Sequence, residues 1–305
     1  MIEFQDVSKA FAHKKILDHA NFVIEDGEFF VLVGPSGSGK TTTLKMINQL
    51  VAHSEGNILI NHQDVTQTNL RKLRLSIGYV LQQIALFPNL TVAENIALIP
   101  EMKGWSKDQI ENRTTELLDL VGLAPTDYAH RLPAELSGGE QQRVGILRAI
   151  ASNPAIVLMD EPFSALDPLS RRQLQIFIKD LQKKMQLTIV FVTHDLDEAL
   201  YLADRVAVMN EGLIQQIADP TAIYYHPAND FVKNFFKESQ QNLSTVRVDN
   251  LLLTTPSVDD EAHEVEADTP LSDVVTTLAK GERLKYQGKR LAAEDIVTYM
   301  AGGGL

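Results

Sequence analysis

The chain has 305 residues, room for one large domain plus a small one or for two modest domains, and its 44% hydrophobic and 22% charged content is that of a globular protein. A formal net charge of −12 argues against a broad basic surface for nucleic acid, and the absence of cysteine excludes disulfides, thiolate metal sites and cysteine nucleophiles. No stretch approaches the roughly 18 consecutive apolar residues of a membrane span and Met1-Ile2-Glu3-Phe4 does not read as a signal peptide, so a soluble, cytoplasmic chain is expected, with any membrane role coming through a partner.

In chain order, Ile2 to Phe4 and Phe22 to Ile24 read as short strands on either side of a polar turn at Ala12-His13-Lys14-Lys15. Phe11 stands just before that turn, as core or as a surface on which a purine can stack. The apolar run Phe29-Phe30-Val31-Leu32-Val33 reads as a buried strand. Gly34-Pro35-Ser36-Gly37-Ser38-Gly39-Lys40-Thr41 follows it and leads into a helix from Thr42. Strand, glycine loop and helix form the setting in which G-x-x-x-x-G-K-[ST] carries meaning. Glycines let the backbone curl until several N–H groups face phosphate oxygens, and the helix start adds its positive dipole end. Lys40 would reach the outer phosphates, and the Thr41 hydroxyl would ligate Mg²⁺.

Gly56 to Asn61 and Ile77 to Leu81 read as further strands, the second ending on Gln82-Gln83. From about Pro88 to Pro133 the pattern turns helical, with Ile110, Leu117, Leu118 and Val121 at helical spacing and Ser106 as an N-cap. Leu136-Ser137-Gly138-Gly139-Glu140 opens another helix, on which Val144, Leu147 and Ile150 share one face. Ile156 to Glu161 and Thr188 to Thr193 are apolar runs, the first ending in two acids and the second at His194-Asp195, as buried parallel strands do when their carboxyl ends face a site. Between them, Leu174, Phe177, Ile178, Leu181 and Met185 mark an amphipathic helix. Arg205 to Met209 and Leu213 to Ile217 form a hairpin through Asn210-Glu211-Gly212. Past Ser239 the composition turns acidic at Asp259-Asp260-Glu261, Glu264, Glu266 and Asp268, the signature of a solvated linker. Val274, Val275 and Leu278, then Ile296, Val297 and Met300, suggest two short helices before a frayed Gly302-Gly303-Gly304 end.

Four features narrow the chemistry. Asp160 ends an apolar strand, where a carboxylate can hold Mg²⁺ through its water shell. Glu161, directly after it, is placed to polarise a water for in-line attack on a γ-phosphate. His194 and Gln82 can orient that water, Gln82 also touching the metal, although strand-end polar residues also serve purely structural roles. Ser137, Gly138 and Gly139 at a helix start form a second anion site. One nucleotide has one set of phosphates, so a second such helix start suggests a pocket shared by two chains.

From Ile2 to Phe236 these motifs resemble the ATP-binding subunit of an ABC transporter. The resemblance implies an α/β fold: a P-loop NTPase core with a mostly parallel sheet, an antiparallel β subdomain, a helical subdomain and a small C-terminal α+β extension. It assigns the phosphate loop to Gly34 through Thr41 with Thr42, the Q-loop glutamine to Gln82, and the signature motif to Leu136 through Gln141. The magnesium-binding aspartate is Asp160, the catalytic glutamate Glu161, the D-loop Ser164 to Asp167, the switch histidine His194 and the adenine-stacking aromatic Phe11. Glu140 stands where the family commonly has glutamine. ATP and Mg²⁺ are the implied cofactors. The implied partners are a second copy of the chain, two transmembrane permease subunits and a substrate-binding protein, at the cytoplasmic face of the membrane and without nucleic acid.

Gln82 to Pro88 and Glu94 to Pro100 resemble the ATPases of importers for osmoprotectant quaternary amines such as glycine betaine, carnitine, choline and proline betaine. An importer for another small solute, such as an amino acid, and a soluble ATPase of the same family acting on ribosomes or DNA are the alternatives; the acidic charge and single ATPase half disfavour the last. The expected domains are 1–238, with a helical subdomain at about 88–150, an acidic linker at 239–268 and a short segment at 269–305. In that segment Thr269 to Asp273 and Gly288 to Ile296 resemble one degenerate CBS unit.

Overall fold

Two long strands open the chain where the alternation predicts two short ones. In the computed structural model, β1 (Ile2–Phe11) and β2 (Lys14–Ile24) pair antiparallel from Ile2↔Ile24 to Phe11↔Lys14, with register shifts between Phe4 and Val7, Val7 and Lys9, and Lys9 and Ala10. Asp6 and His19 adopt positive φ at these irregularities, and the Asp6 N–H donates to Asn21 Oδ1 at 2.8 Å in place of a ladder bond. Such bulges break the two-residue period that a sequence pattern relies on. The structure describes residues 1–12, 14–164, 166–237, 247–251, 253, 262–279, 282–292, 295–296 and 299. His13, Ala165, Asp259-Asp260-Glu261, Val297, Met300 and the glycine-rich end lie outside them.

The described residues pack as two compact units. The first holds Met1–Phe30, Ser36–Val192 and Glu211–Leu213. In it, β4 (Glu55–Ile60) and β5 (Gln63–Asp64) join the hairpin in a sheet of order β2-β1-β4-β5, antiparallel throughout. Phe4 stacks on Phe22 at 4.4 Å and Phe22 on Phe30 at 5.6 Å beneath it. Three parallel strands form the other layer: β6 (Ile77–Val80), β7 (Ile156–Asp160) and β8 (Thr188–Thr193), in register Ile77↔Ile156 and Ile156↔Thr188. Every residue of β3 (Phe29–Val33), β7 and β8 is buried, which is why all three read as unbroken apolar runs.

Helices α1 (Lys40–Ile47), α2 (Leu70–Ser76), α3 (Val92–Met102), α4 (Lys107–Leu120), α5 (Pro125–Tyr128), α6 (Gly138–Ile150) and α7 (Pro168–Met185) complete this unit. Thr91 with Glu94, Ser106 with Gln109, and Ser137 with Glu140 each close a capping box, so side chains supply partners for the starts of α3, α4 and α6. Ser106 is the cap its position predicts. Leu117, Leu118 and Val121 are buried as their spacing requires. α2 has no counterpart in the sequence reading because it buries a single leucine, Leu73, and so carries no apolar stripe.

The second unit holds Val31–Pro35, Thr193–Asn210 and Ile214–Leu305. β9 (Arg205–Asn210) and β10 (Leu213–Ala218) flank Glu211-Gly212, both at positive φ as a two-residue hairpin turn needs. Short helices α8 (Leu196–Leu202), α9 (Pro220–Tyr225) and α10 (Asp230–Phe235) lie around them in sequence, each too brief for a readable period. The tail forms a small sheet of β11 (His263–Glu264), β12 (Leu284–Tyr286) and β13 (Lys289–Leu291) with α11 (Leu271–Ala279). Val248, Leu251 and Leu253, inside the stretch whose acidity suggests a linker, are buried in one cluster with Tyr224, Leu271, Val274, Leu284 and Leu291. Burial pushes the Tyr225 hydroxyl beside that cluster up to about 12. Glu264, Glu266 and Asp268 are exposed, as their charge predicts.

Close backbone approach sets where α6 lies on the parallel strands. A Cβ at Gly78 in β6 would stand 2.5 Å from the Ala149 carbonyl oxygen of α6. Gly78→Ala is therefore expected to lower stability by about 1–3 kcal/mol, as overpacking does. Thermal unfolding checks this, and an unchanged midpoint would show that the two elements are not in contact there.

Candidate functional site

A helix start without a side-chain cap is the centre of the site. Gly39 is the N-cap of α1 at φ 104°, and no side chain bonds the first N–H groups of the helix. Those donors, which every other long helix of this unit directs to a Ser, Thr or Asp, are left for an external acceptor. The loop tolerates no side chain at this point: a Cβ on Gly39 would collide with the Ile16 carbonyl oxygen. Thr43 locks the first turn, its N–H and hydroxyl both donating to the Gly39 carbonyl, at 2.8 and 3.0 Å.

Around this start, Ser36, Gly37, Gly39, Lys40, Thr41 and Thr42 line a cavity of about 280 Å³ together with Lys14, Ile16 and Glu161. Ser38 turns under the loop and is 3% exposed. Lys40 is 5% exposed, and burial lowers its pKa against the opposing pull of Glu161 and Asp160. A cationic group short of solvent, above uncapped N–H donors, is built to meet an anion. A larger hollow of about 490 Å³ lies among α3, α4 and α5, but its lining, which includes Ala97, Ile110, Leu118 and Glu111, has no glycine loop.

The carboxyl ends of the strands supply the acids. Asp160, the last residue of β7, accepts the Thr41 hydroxyl at 2.8 Å and stands 3.6 Å from Lys45 Nζ. The buried Tyr79 hydroxyl makes no hydrogen bond among the described residues; burial first, then the Asp160 charge, push its pKa up. Glu161 takes a positive φ of 44°, an uncommon conformation for a residue with a side chain. Its backbone is held by three bonds: its N–H to the Val192 carbonyl at 3.0 Å, and its carbonyl to the Ser164 N–H and hydroxyl at 3.3 and 3.1 Å. Gln82 Nε2 reaches Glu161 Oε2 at 3.4 Å. Hydroxyl, carboxylate and amide oxygens are the ligands Mg²⁺ prefers, and no all-protein cluster of three or more His, Asp or Glu occurs among the described residues. Thr41 and Asp160 thus fit a metal carried in on phosphates.

The second helix start is exposed at Ser137 and Gly138. Ser137 Oγ accepts the Glu140 N–H at 3.3 Å, and Glu140 Oε2 accepts the Ser137 N–H at 2.7 Å. This leaves the N–H groups of Gly138 and Gly139 as first-turn donors. None of Ser137, Gly138, Gly139 and Glu140 lines the phosphate cradle. Asp167 caps α7, accepting the Ser170 N–H at 3.0 Å, and the Ser170 bonds hold its carboxyl below the usual range. Phe11 is 50% exposed with Lys9 Nζ 4.5 Å from its ring centre, and its hairpin partner Lys14 lines the cradle. Gly34 and Pro35 belong to the second unit, as does His194, which is exposed directly after β8. Lys14, Ile16, Lys45 and Tyr79 carried no signal in the sequence: each is a strand or helix residue of ordinary type, given its place by pairing or packing.

Known ATP-binding proteins of transporters resemble this chain. The family profile described as "ABC transporter" matches residues 17–164. The osmoprotectant import ATP-binding protein OsmV of Salmonella typhimurium is 45% identical over 280 residues, 90% of this chain and 72% of that protein. The choline transport ATP-binding protein OpuBA of Bacillus subtilis is 44% identical over 289 residues, 93% of this chain and 74% of its own length. Among solved structures, the dimeric post-hydrolysis state of the ATP-binding cassette MJ0796 bound to ADP and Pi superposes with a TM-score of 0.65 at 33% identity, covering 72% of this chain and 99% of that one.

Two glycines of the loop separate steric from electrostatic effects. Gly39→Ala is expected to weaken binding of a fluorescent ATP analogue by about tenfold or more, since it adds a backbone collision to a left-handed conformation. Gly37, at φ 80° with open space around it, should tolerate alanine with the smaller loss of backbone strain alone. Equal affinities for Gly39→Ala and wild type would remove this loop from the site.

Proposed function

We propose the division of labour below from one premise: this chain belongs to the ABC transporter family, as an ATP-binding subunit. Its activity is hydrolysis of ATP to ADP and phosphate in the service of transport. Two copies sandwich two nucleotides. The observation that carries this reading is that the two anion-binding helix starts do not share a cavity: the α1 cradle is lined without Ser137, Gly138 or Gly139. Those exposed donors serve a nucleotide held by another copy.

In this arrangement the α1 start, Gly34 through Gly39 and Lys40 hold the β- and γ-phosphates, and Phe11 stacks on adenine. Thr41 and Asp160, with Gln82, would hold Mg²⁺, which neutralises phosphate charge when bound. Asp160 already accepts the Thr41 hydroxyl, so both oxygens face one point before any cation arrives. Glu161 takes a proton from a water as the water oxygen bonds to the γ-phosphorus and the bond to the β-phosphate oxygen breaks. His194 and Gln82 orient that water. Ser137, Gly138 and Gly139 of the second copy close on the γ-phosphate, with Asp167 opposite. Such positioning and charge stabilisation is most of what phosphoryl transfer requires. Loss of the γ-phosphate removes what the two copies share, and they part.

The cargo reading rests on the relatives: import of osmoprotectant quaternary amines, with two permease subunits in the membrane, a substrate-binding protein outside and this subunit at the cytoplasmic face. No helix among the described residues is long and apolar enough to cross a membrane. The segment after Gln82 suits a permease contact. Phe87 is 53% exposed, while its backbone is clamped by the buried Asn95, which accepts the Phe87 N–H at 2.8 Å and donates to the Phe87, Leu90 and Thr91 carbonyls. Arg148 of α6 holds the Ala85 carbonyl at 2.6 Å, so a push on this segment reaches the helix that begins at Ser137. Residues 1–238 form the ATPase part and 269–305 a reduced CBS-like unit.

Glu161→Gln should cut turnover about 10²- to 10⁴-fold, the usual contribution of a general base, while retaining ATP binding. With saturating Mg-ATP it should elute as a dimer, and a persistent monomer would contradict the shared site. In vesicles with its permease, uptake of labelled glycine betaine or choline is expected; stimulation by an unrelated amino acid alone would overturn the cargo reading.

A further inference from the structure

The N3 residue of α6 is an acid in a position that faces a phosphate in the proposed dimer, and a negative charge there opposes the anion it should help to bind. The structure shows where that charge is held. Glu140 Oε2 accepts the Ser137 N–H at 2.7 Å, and Glu140 Oε1 accepts the Tyr128 hydroxyl at 2.7 Å. Both oxygens are engaged, one at the N-cap of α6 and the other by a residue of α5.

We infer that Tyr128 is a positioning residue for the α6 anion site, acting through Glu140: its hydroxyl keeps the capping carboxylate in its box so that the glycine N–H donors stay open to phosphate. The role rests on the reading of α6 as the cap on a partner's ATP. Tyr128 is itself fixed. Pro125 starts α5, the Arg131 guanidinium lies 4.3 Å over the Tyr128 ring, and Arg131 Nε donates to the Asp127 carbonyl at 2.8 Å. Although partial burial raises it, the Glu140 pKa is net lowered by the bonds from Tyr128 and Ser137 and the Arg131 charge, so the group being positioned is a carboxylate. Without the tyrosine hydroxyl, one oxygen loses its donor, and the first-turn N–H groups that the phosphate needs can compete with water for it. A glutamine at this position would close the capping box without charge and would not need Tyr128 to restrain it.

A double-mutant cycle tests this. Tyr128→Phe is expected to raise the KM for ATP about tenfold, the scale of a hydrogen bond to a charged group, with the thermal midpoint unchanged. In a Glu140→Gln background the same substitution should alter KM by less than about twofold, because the charge it restrains is gone. Introduced into Glu161→Gln, Tyr128→Phe should raise the ATP concentration for half-dimerisation by a similar factor. An unchanged KM, or an equal rise in both backgrounds, overturns the inference, the second result marking a merely structural tyrosine. If Glu161→Gln alone fails to dimerise with ATP, the cap reading falls and this role with it. If that variant dimerises and Tyr128→Phe does not disturb it, only the role of Tyr128 is lost.

Discussion

A helix start that no side chain caps is the constraint on which this structure depends. A buried donor without a partner is costly, so most helix starts here are capped by a serine, threonine, aspartate or asparagine. At α1 the cap is Gly39, which has no side chain to offer and no room for one. No side chain caps the donors, and the chain holds there a loop that a phosphate would complete. Loop shape, the placement of Lys40 and the covering strand β2 with Lys14 and Ile16 follow from that choice.

The acids opposite show the same logic from the other sign. Asp160 is buried, and a buried carboxylate needs partners. Thr41 donates to it and Lys45 stands 3.6 Å away, both from α1, and its charge acts on the Tyr79 hydroxyl of the neighbouring strand. Glu161, one residue further, leaves the strand through a left-handed turn, which re-aims its side chain into the cradle. Strain at the second acid and burial beside Thr41 and Lys45 at the first give two adjacent carboxylates different surroundings. Different roles, metal partner and base, are consistent with that contrast.

At α6 the arrangement is intermediate. Its box satisfies the Ser137 and Glu140 N–H groups and leaves two glycine donors. A site of this kind binds an anion only if the capping acid stays in its box, which ties Glu140 to Tyr128, twelve residues earlier in the chain. Arg148, at the other end of the same helix, grips Ala85. One helix thereby touches the glycine donors, the segment after Gln82 and the body of the parallel sheet at Gly78.

What the sequence by itself determined is local and periodic. The phosphate loop, the strand ends at Asp160 and Glu161, the Ser106 cap and the buried parallel strands were legible because each is written in consecutive residues or in one repeating spacing. The long β1–β2 hairpin was not, because bulges at Asp6 and His19 interrupt its two-residue period. The tail core was hidden for a related reason: Val248, Leu251 and Leu253 are too few to form a pattern among their polar neighbours, and only packing against Tyr224 and Leu271 shows them buried. Tertiary structure alone decided that Lys14, Ile16, Lys45, Tyr79 and Tyr128 attend the site. These are residues of common type whose function comes from where a distant part of the chain places them, and no spacing along the sequence encodes that.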